Sequence, residues 1–355
     1  MIQRVGVLGA GTMGAGIAQL CAQSGFSVKI HDPIPAALAA LPGKLKPALD
    51  AAVLKGKLTA QQAERAFQSV SSAATLEELA GADLIIEAAP EDLAMKRQVF
   101  ADLARICPDA ILATNTSSLS VGAIAESVNS PGRFLGLHFF NPPVATKLVE
   151  VVKAPDTSDE IFRAVWEFAV SGLRKTAVAV KDTPGFIVNR VMRPYYVSAQ
   201  RHAGAGIAKL DAAARADGVP MGPFELMDLI GLDVNLSITK SIYEACGRPE
   251  RFAPPALQQK LVDLGHLGRK TARGFYLYKD GKAAGENPET MAAAGEFVPA
   301  QEAWEAVIGS VIDEAKLAVG EDVASPSDID TAIKLAMNFP RGPFQWRSEN
   351  TAPKA

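Results

Sequence analysis

His138 and Glu150 are the residues of this 355-residue chain whose types and setting best suit proton transfer. Of the four histidines, His138 has the most suggestive position, after the apolar run Phe134–Leu137 in Gly136-Leu137-His138-Phe139-Phe140-Asn141-Pro142. Glu150 interrupts another apolar run, Leu148-Val149-Glu150-Val151-Val152. A carboxylate in such a strand is costly to bury unless it is paired. An imidazole would pair it, and the strands on either side of residues 141–147 are candidate neighbours. Histidine titrates near neutrality and suits a base that takes a proton from a hydroxyl group. A carboxylate on its second nitrogen would fix the tautomer and stabilise the imidazolium. A structural core histidine is the plainer alternative for His138 alone, and Glu150 weighs against it.

A second constellation lies near the start, where Gly9-Ala10-Gly11-Thr12-Met13-Gly14 follows the strand-like Arg4–Leu8 and opens a helical pattern. In that context G-x-G-x-x-G reads as a dinucleotide-binding turn. Gly9 allows the tight turn, Gly11 leaves room for the pyrophosphate and Gly14 lets helix and strand pack closely. Thr12 and Met13 begin the helix whose positive end would face the phosphates. Asp32 ends the second strand about 20 residues on, where an acid binds the adenosine ribose. A carboxylate there repels a 2′-phosphate, and Pro33 and Ile34 offer no cation to receive one. The expected cofactor is NAD, which would accept hydride while His138 takes a proton. Asn115-Thr116-Ser117-Ser118 follows the run Ala110–Ala113 at another strand end. A hydroxyl there can hold a substrate oxygen, and a loop or helix cap would use the same residues; the two readings stand level.

The elements that must position these groups change character along the chain. Short apolar runs at Arg4–Leu8, Ser27–Ile30, Asp83–Glu87, Ala110–Ala113, Phe134–Leu137 and Leu148–Val152 alternate with helical patterns such as Met13–Gln23, Leu93–Ile106 and Asp159–Ser171. That rhythm predicts a parallel sheet covered on both faces. Residues 36–67 interrupt it and read as an inserted helical hairpin turning near Gly56. Near Asp182-Thr183-Pro184-Gly185 the strands stop and helical periodicity takes over, with Asn189 just inside the first helix. The expected fold is an α/β Rossmann-type domain (1–182), an all-α domain (183–282), a linker over 280–298 and an incomplete repeat of the all-α domain (299–355). The repeat is read from Asp211 followed by Pro220-Met221-Gly222-Pro223-Phe224, and Asp330 followed by Pro340-Arg341-Gly342-Pro343-Phe344, each after a long helix (Phe186–His202, Ala303–Ala318).

Composition sets the surroundings. A net charge of −3 gives no ground for a nucleic-acid partner, and no segment approaches the roughly 20 strongly apolar residues of a bilayer span. Arg4 followed by Val5–Ala22 has the outline of a signal peptide, but four glycines interrupt it and the β-α pattern runs on beyond it. Three scattered cysteines form neither a disulfide framework nor a zinc motif, and no metal is expected. The cytoplasm is the expected compartment.

Together these strings resemble the L-3-hydroxyacyl-CoA dehydrogenase family, which includes 3-hydroxybutyryl-CoA dehydrogenases. The resemblance runs from about residue 3 to 278 and rests on Asn115–Leu119, Leu137–Pro142, Lys147–Val152, Asp182–Arg190, Met221–Leu226 and Gly274–Tyr276. It implies NAD-dependent, reversible oxidation of a short L-3-hydroxyacyl-CoA in fatty acid metabolism, as in β-oxidation, with His138 as base and Glu150 as its partner. Ser117 and Asn189 would bind the substrate's 3-oxygen, and Glu91, Lys96, Asn141 and Lys270 match family positions near the cofactor. For Glu91 and Lys96 the residues alone favour a solvated pair at a helix start. Coenzyme A lies near the inserted hairpin in this family, so Lys44, Lys46, Lys55 and Lys57 are candidates for its phosphates. A solvated lysine face is the usual alternative. Short family members pair through their helical domains, which implies a homodimer unless the second copy stands in for the partner. The spacing from Asp211 to Pro220 is one residue shorter than usual in the family. Two other functions stay open: a dehydrogenase of a free hydroxyacid or sugar acid such as L-gulonate, and a non-catalytic protein on the same fold.

Overall fold

The computed structural model describes residues 2–291 and 297–350. They fall into two compact units, Met1–Thr183 and Pro184–Ala355.

The first unit is built on eight strands: β1 (Arg4–Leu8), β2 (Ser27–His31), β3 (Val70–Ala73), β4 (Leu84–Glu87), β5 (Ile111–Thr114), β6 (Phe134–Phe139), β7 (Leu148–Lys153) and β8 (Thr176–Lys181). They form one sheet in the order β3-β2-β1-β4-β5-β6-β7-β8. The central strands are near-continuous apolar runs because helices cover both faces; Val5, Val7, Leu84, Ile86, Leu135 and Leu137 are fully buried. The helix Thr12–Gln23 buries Ile17, Ala18, Leu20 and Cys21. Leu93–Ile106 is started by Asp92, which accepts the Met95 N–H at 2.8 Å, and buries Lys96, Phe100 and Leu103 at helical spacing. The insertion is a helical hairpin, Leu41–Leu54 and Ala60–Gln68. Leu41, Leu45 and Leu49 line its buried stripe, Gly56 turns it at φ 66°, and Thr59 with Gln62 caps its second helix.

Every neighbouring pair of strands is parallel except β6 and β7, which are antiparallel. The sheet is thus parallel, as expected, with one antiparallel pair. The connection over residues 140–147 is shorter than the dozen or so residues a parallel crossover needs. Two edge strands escaped the sequence reading. β3 is Val-Ser-Ser-Ala, half exposed and too polar to form an apolar run. β8 buries Val178 and Val180 but is bracketed by lysines.

The second unit is helical, with helices Val188–Val191, Arg193–Arg201, Ile207–Ala216, Pro223–Ile230, Leu232–Ala245 and Ala256–Asp263 before the hairpin β9 (Tyr276–Lys279) and β10 (Lys282–Glu286). The hairpin corrects the reading of 280–298 as linker from its first residues; part of that stretch, 292–296, lies outside the described residues. β10 is Lys-Ala-Ala-Gly-Glu, mostly exposed, so neither hydrophobicity nor alternation betrays it. The expected helix Phe186–His202 is broken at Met192, and its entry is set by Gly185 at φ 79° and Phe186 at φ 53°.

After the hairpin come Ala300–Gly320, Pro326–Met337 and Pro343–Asn350. The two Asp…Gly-Pro-Phe segments share one geometry. Asp211 accepts the N–H groups of Phe224 and Glu225 at 3.0 Å each, and Asp330 accepts that of Phe344 at 2.9 Å. In both, the aspartate occupies the space a side chain on Gly222 or Gly342 would need. The aspartate thus caps the following helix, and the glycine admits it. The long helix packs along Arg193–Arg201, where Tyr195 meets Trp304 and Phe339 edge to face or tilted. Asp217 receives the indole N–H groups of Trp304 (3.0 Å) and Trp346 (3.2 Å) and an ion pair from Arg341.

Candidate active site

Antiparallel register sets His138 of β6 directly across from Glu150 of β7. Directly opposed residues share a sheet face, so the two side chains meet. Nδ1 of His138 lies 2.6 Å from Oε2 of Glu150, with the carboxylate fully buried and the imidazole 7% exposed. A carboxylate against Nδ1 draws the ring proton there and leaves Nε2 as the basic nitrogen. The ring also leans on Phe140 at 4.5 Å between centroids. His138 lies inside its strand, not just beyond it as the apolar run suggested.

The turn joining these strands is held from two sides. Lys175 donates from Nζ to the carbonyls of Pro143 and Thr146 at 2.6 Å each, and burial pulls its ammonium down to about 8. Pro143 in turn sits on Gly16 of the first helix, where a β-carbon would come within 2.9 Å of its ring.

The glycine turn lies at the carboxyl end of β1. Gly9 has φ 98°, and a β-carbon there would fall 2.7 Å from the Ala88 carbonyl. One on Gly14 would strike the Gly9 carbonyl. A β-carbon on Gly11 would meet nothing, and the helix beginning at Thr12 and Met13 has no side-chain cap and no acid in its first turn. Its N–H groups are thus arranged to receive a diphosphate, and the residues fit a dinucleotide. Asp32 accepts the Ala10 N–H at 2.7 Å through Oδ2 and the Ile34 N–H at 2.8 Å through Oδ1. Lys44 also comes to this turn, donating to the Ala10 carbonyl at 2.8 Å.

At the ends of β4 and β5 carboxylates organise the loops. Glu91 accepts from the Ser117 N–H (2.7 Å), the Ser117 hydroxyl (3.1 Å) and the Thr116 hydroxyl (2.8 Å). Lys96 is 1% exposed, which overturns its reading as a solvated residue. Its ammonium binds Glu87 at 2.5 Å and stands 3.5 Å from Glu91. Glu87, fully buried, also accepts from the Ala89 N–H and the Thr114 hydroxyl. Sequence reasoning missed Glu87, although a carboxylate ending the apolar Leu84–Ile86 is the signal that singled out Glu150. Asn115 links β5 to β6 by accepting the Phe139 N–H at 2.8 Å.

The structure therefore joins His138 with Glu150, Glu91 with Ser117 and Lys96, and Asp32 and Lys44 with the glycine turn. Asn141 is exposed just past β6, Lys55 is exposed beside the hairpin turn and Lys46 pairs with Asp50. Asn189 and Lys270 belong to the second unit, where Lys270 forms an ion pair with Asp233 at 2.5 Å.

The sequence model of the 3-hydroxyacyl-CoA dehydrogenase NAD binding domain matches residues 4–183, and that of the 3-hydroxyacyl-CoA dehydrogenase C-terminal domain matches residues 185–278 and 304–350. The chain belongs to the 3-hydroxyacyl-CoA dehydrogenase family. It is an NAD-dependent oxidoreductase of 3-hydroxyacyl-CoA. The dehydrogenase is 36% identical to a 3-hydroxyadipyl-CoA dehydrogenase of Escherichia coli (98% of this chain, 91% of that one). It is 40% identical to a 3-hydroxybutyryl-CoA dehydrogenase of Mycobacterium tuberculosis (78% and 99%). A crystal structure of an Escherichia coli 3-hydroxybutyryl-CoA dehydrogenase is similar to it with TM-score 0.88 at 35% identity (99% and 92%). Among the described residues no helix is long and apolar enough to cross a membrane.

Proposed function

We propose that the dehydrogenase oxidises short-chain L-3-hydroxyacyl-CoA, 3-hydroxybutyryl-CoA among them, with His138 as the general base. The buried 2.6 Å contact between His138 and Glu150 carries this reading. Nε2 of His138 takes the 3-hydroxyl proton, and Glu150 holds the ring and stabilises the imidazolium. Ser117 and Asn189 donate hydrogen bonds to the 3-oxygen and hold it beside the base. Glu91 positions Ser117 through its N–H, and the Ser117 hydroxyl turns its one proton from Glu91 to the 3-oxygen when substrate binds. Bound NAD supplies the hydride acceptor. The glycine turn and the first helix receive its diphosphate and Asp32 its ribose, with Lys96, Asn141 and Lys270 completing the cofactor's surroundings. Lys55, its neighbour Lys57 and Lys44 are proposed contacts for coenzyme A phosphates, the Lys44 ammonium keeping two further donors beside its bond to the Ala10 carbonyl.

A homodimer through the second unit is part of this reading, supported by the exposed apolar side chains of Leu229, Ile230 and Val234, close together in sequence. A cytoplasmic setting is supported by three free cysteines.

A substrate panel tests the function. With NAD, kcat/KM for L-3-hydroxybutyryl-CoA should exceed that for L-gulonate by at least ~100-fold, since a free acid forgoes every coenzyme A contact. L-3-hydroxyadipyl-CoA in the same panel shows whether a longer, acidic acyl group is preferred. Faster turnover of L-gulonate would reject the thioester reading.

A further inference from the structure

The long helix Ala300–Gly320 carries a carboxylate on its buried face. Val307, Val311, Ala315 and Ala318 are buried there, and among them Glu314 is 1% exposed. Its Oε1 accepts from Nε of Arg190 at 2.8 Å, and its Oε2 from Nε of Arg251 at 2.5 Å. Arg190 is itself buried and reaches Glu321 through Nη1 at 2.7 Å.

Arg190 is the chain neighbour of Asn189 on a helix only one turn long, Val188–Val191. One turn has little cohesion of its own, so its orientation depends on what anchors it. Two buried arginines do so. Arg193 donates to the Asn189 carbonyl at 3.3 Å and to the Thr239 hydroxyl at 3.0 Å, while Arg190 is bound to the second copy through Glu314 and Glu321. Stability alone gives little reason for such a pair, because well-packed apolar residues usually serve as well. Direction is what an ion pair adds: a planar guanidinium on a fixed carboxylate sets the angle of the backbone that bears it.

We infer that Glu314 is a positioning residue for the reaction, orienting Asn189 through Arg190, so that the second copy of the helical domain serves the substrate site of the first. The inference rests on Asn189 binding the substrate's 3-oxygen.

The test uses the full chain, acetoacetyl-CoA and NADH. Glu314→Gln should raise KM for acetoacetyl-CoA and lower kcat, reducing kcat/KM by ~10-fold or more, with NADH affinity unchanged. Glu321→Gln, altering a half-exposed carboxylate, should fold in any case and shift both constants the same way by ~2-fold to ~5-fold. The double variant Arg190→Met with Glu314→Met removes both charges; it should regain melting temperature over Glu314→Gln while kcat/KM stays low. Recovery of kcat/KM together with melting temperature would reduce the pair to packing and overturn the inference. So would wild-type constants in both single variants while Asn189→Ala is impaired. Wild-type constants in Asn189→Ala itself would instead remove the role of Asn189, and the inference with it.

Discussion

Asp32 holds a turn and is the residue to which we assign the choice of cofactor. Its two oxygens accept the N–H groups of Ala10 and Ile34, so the carboxylate is fixed where the second strand ends and the glycine turn begins. A fixed negative charge at that place favours ribose hydroxyls and repels a phosphate. Asp32→Ser is expected to weaken NAD by ~10-fold to ~100-fold, the value of a hydrogen bond to a charged group, and to narrow the preference over NADP. Measured dissociation constants for both cofactors check this; a wild type that takes NADP at least as well would refute it. Residue types were legible where burial makes a charge conspicuous. Glu150 stood out in an apolar strand, and its partner followed from chemistry. Glu87 carries the same signal at the end of Leu84–Ile86, whereas nothing in the spacing of Lys96 discloses that its ammonium lies buried against Glu87.

Among the elements, the start of the sheet depends on one carboxylate. Asp83 accepts the N–H groups of Gln3 and Arg4 and pairs with the Arg4 guanidinium at 2.7 Å, tying β1 to β4. The hydrogen bond from the Arg4 side chain, aided by those backbone N–H groups and against the cost of burial, holds its carboxyl down at about 2. An unfolded aspartate ionises near 3.9. The folded value is the lower, so this contribution is complete above about pH 5 and fades as pH falls through about 4 toward about 2. Asp83→Asn should therefore lower the melting temperature at about pH 6, and that deficit should shrink to roughly half by about pH 3. A deficit that stays constant over this range would contradict the assignment. The central strands were readable because burial on both faces demands unbroken Val, Ile and Leu. β3 and β10 were not, since an exposed edge can be polar or alanine-rich and still pair. The antiparallel turn between β6 and β7 was readable only as adjacency, from the shortness of its loop.

On the scale of the whole molecule, the recurrence of Asp…Gly-Pro-Phe was visible as a repeat because each copy needs an aspartate cap and a glycine to admit it. What the second copy holds was not visible. Glu314 lies in a helix rich in exposed acids, and only the fold shows that it faces Arg190 and Arg251. The first unit brings His138 and Glu150, the proposed base and its partner, together within one sheet, and the proposed mechanism stands on that pair. The direct measurement is turnover of acetoacetyl-CoA and NADH by His138→Gln and Glu150→Gln, with NADH affinity measured on the same samples. The account predicts unchanged NADH affinity, a ~10²-fold to ~10⁴-fold loss of kcat in His138→Gln, and a clear loss in Glu150→Gln. Turnover within ~10-fold of wild type in both variants would contradict it.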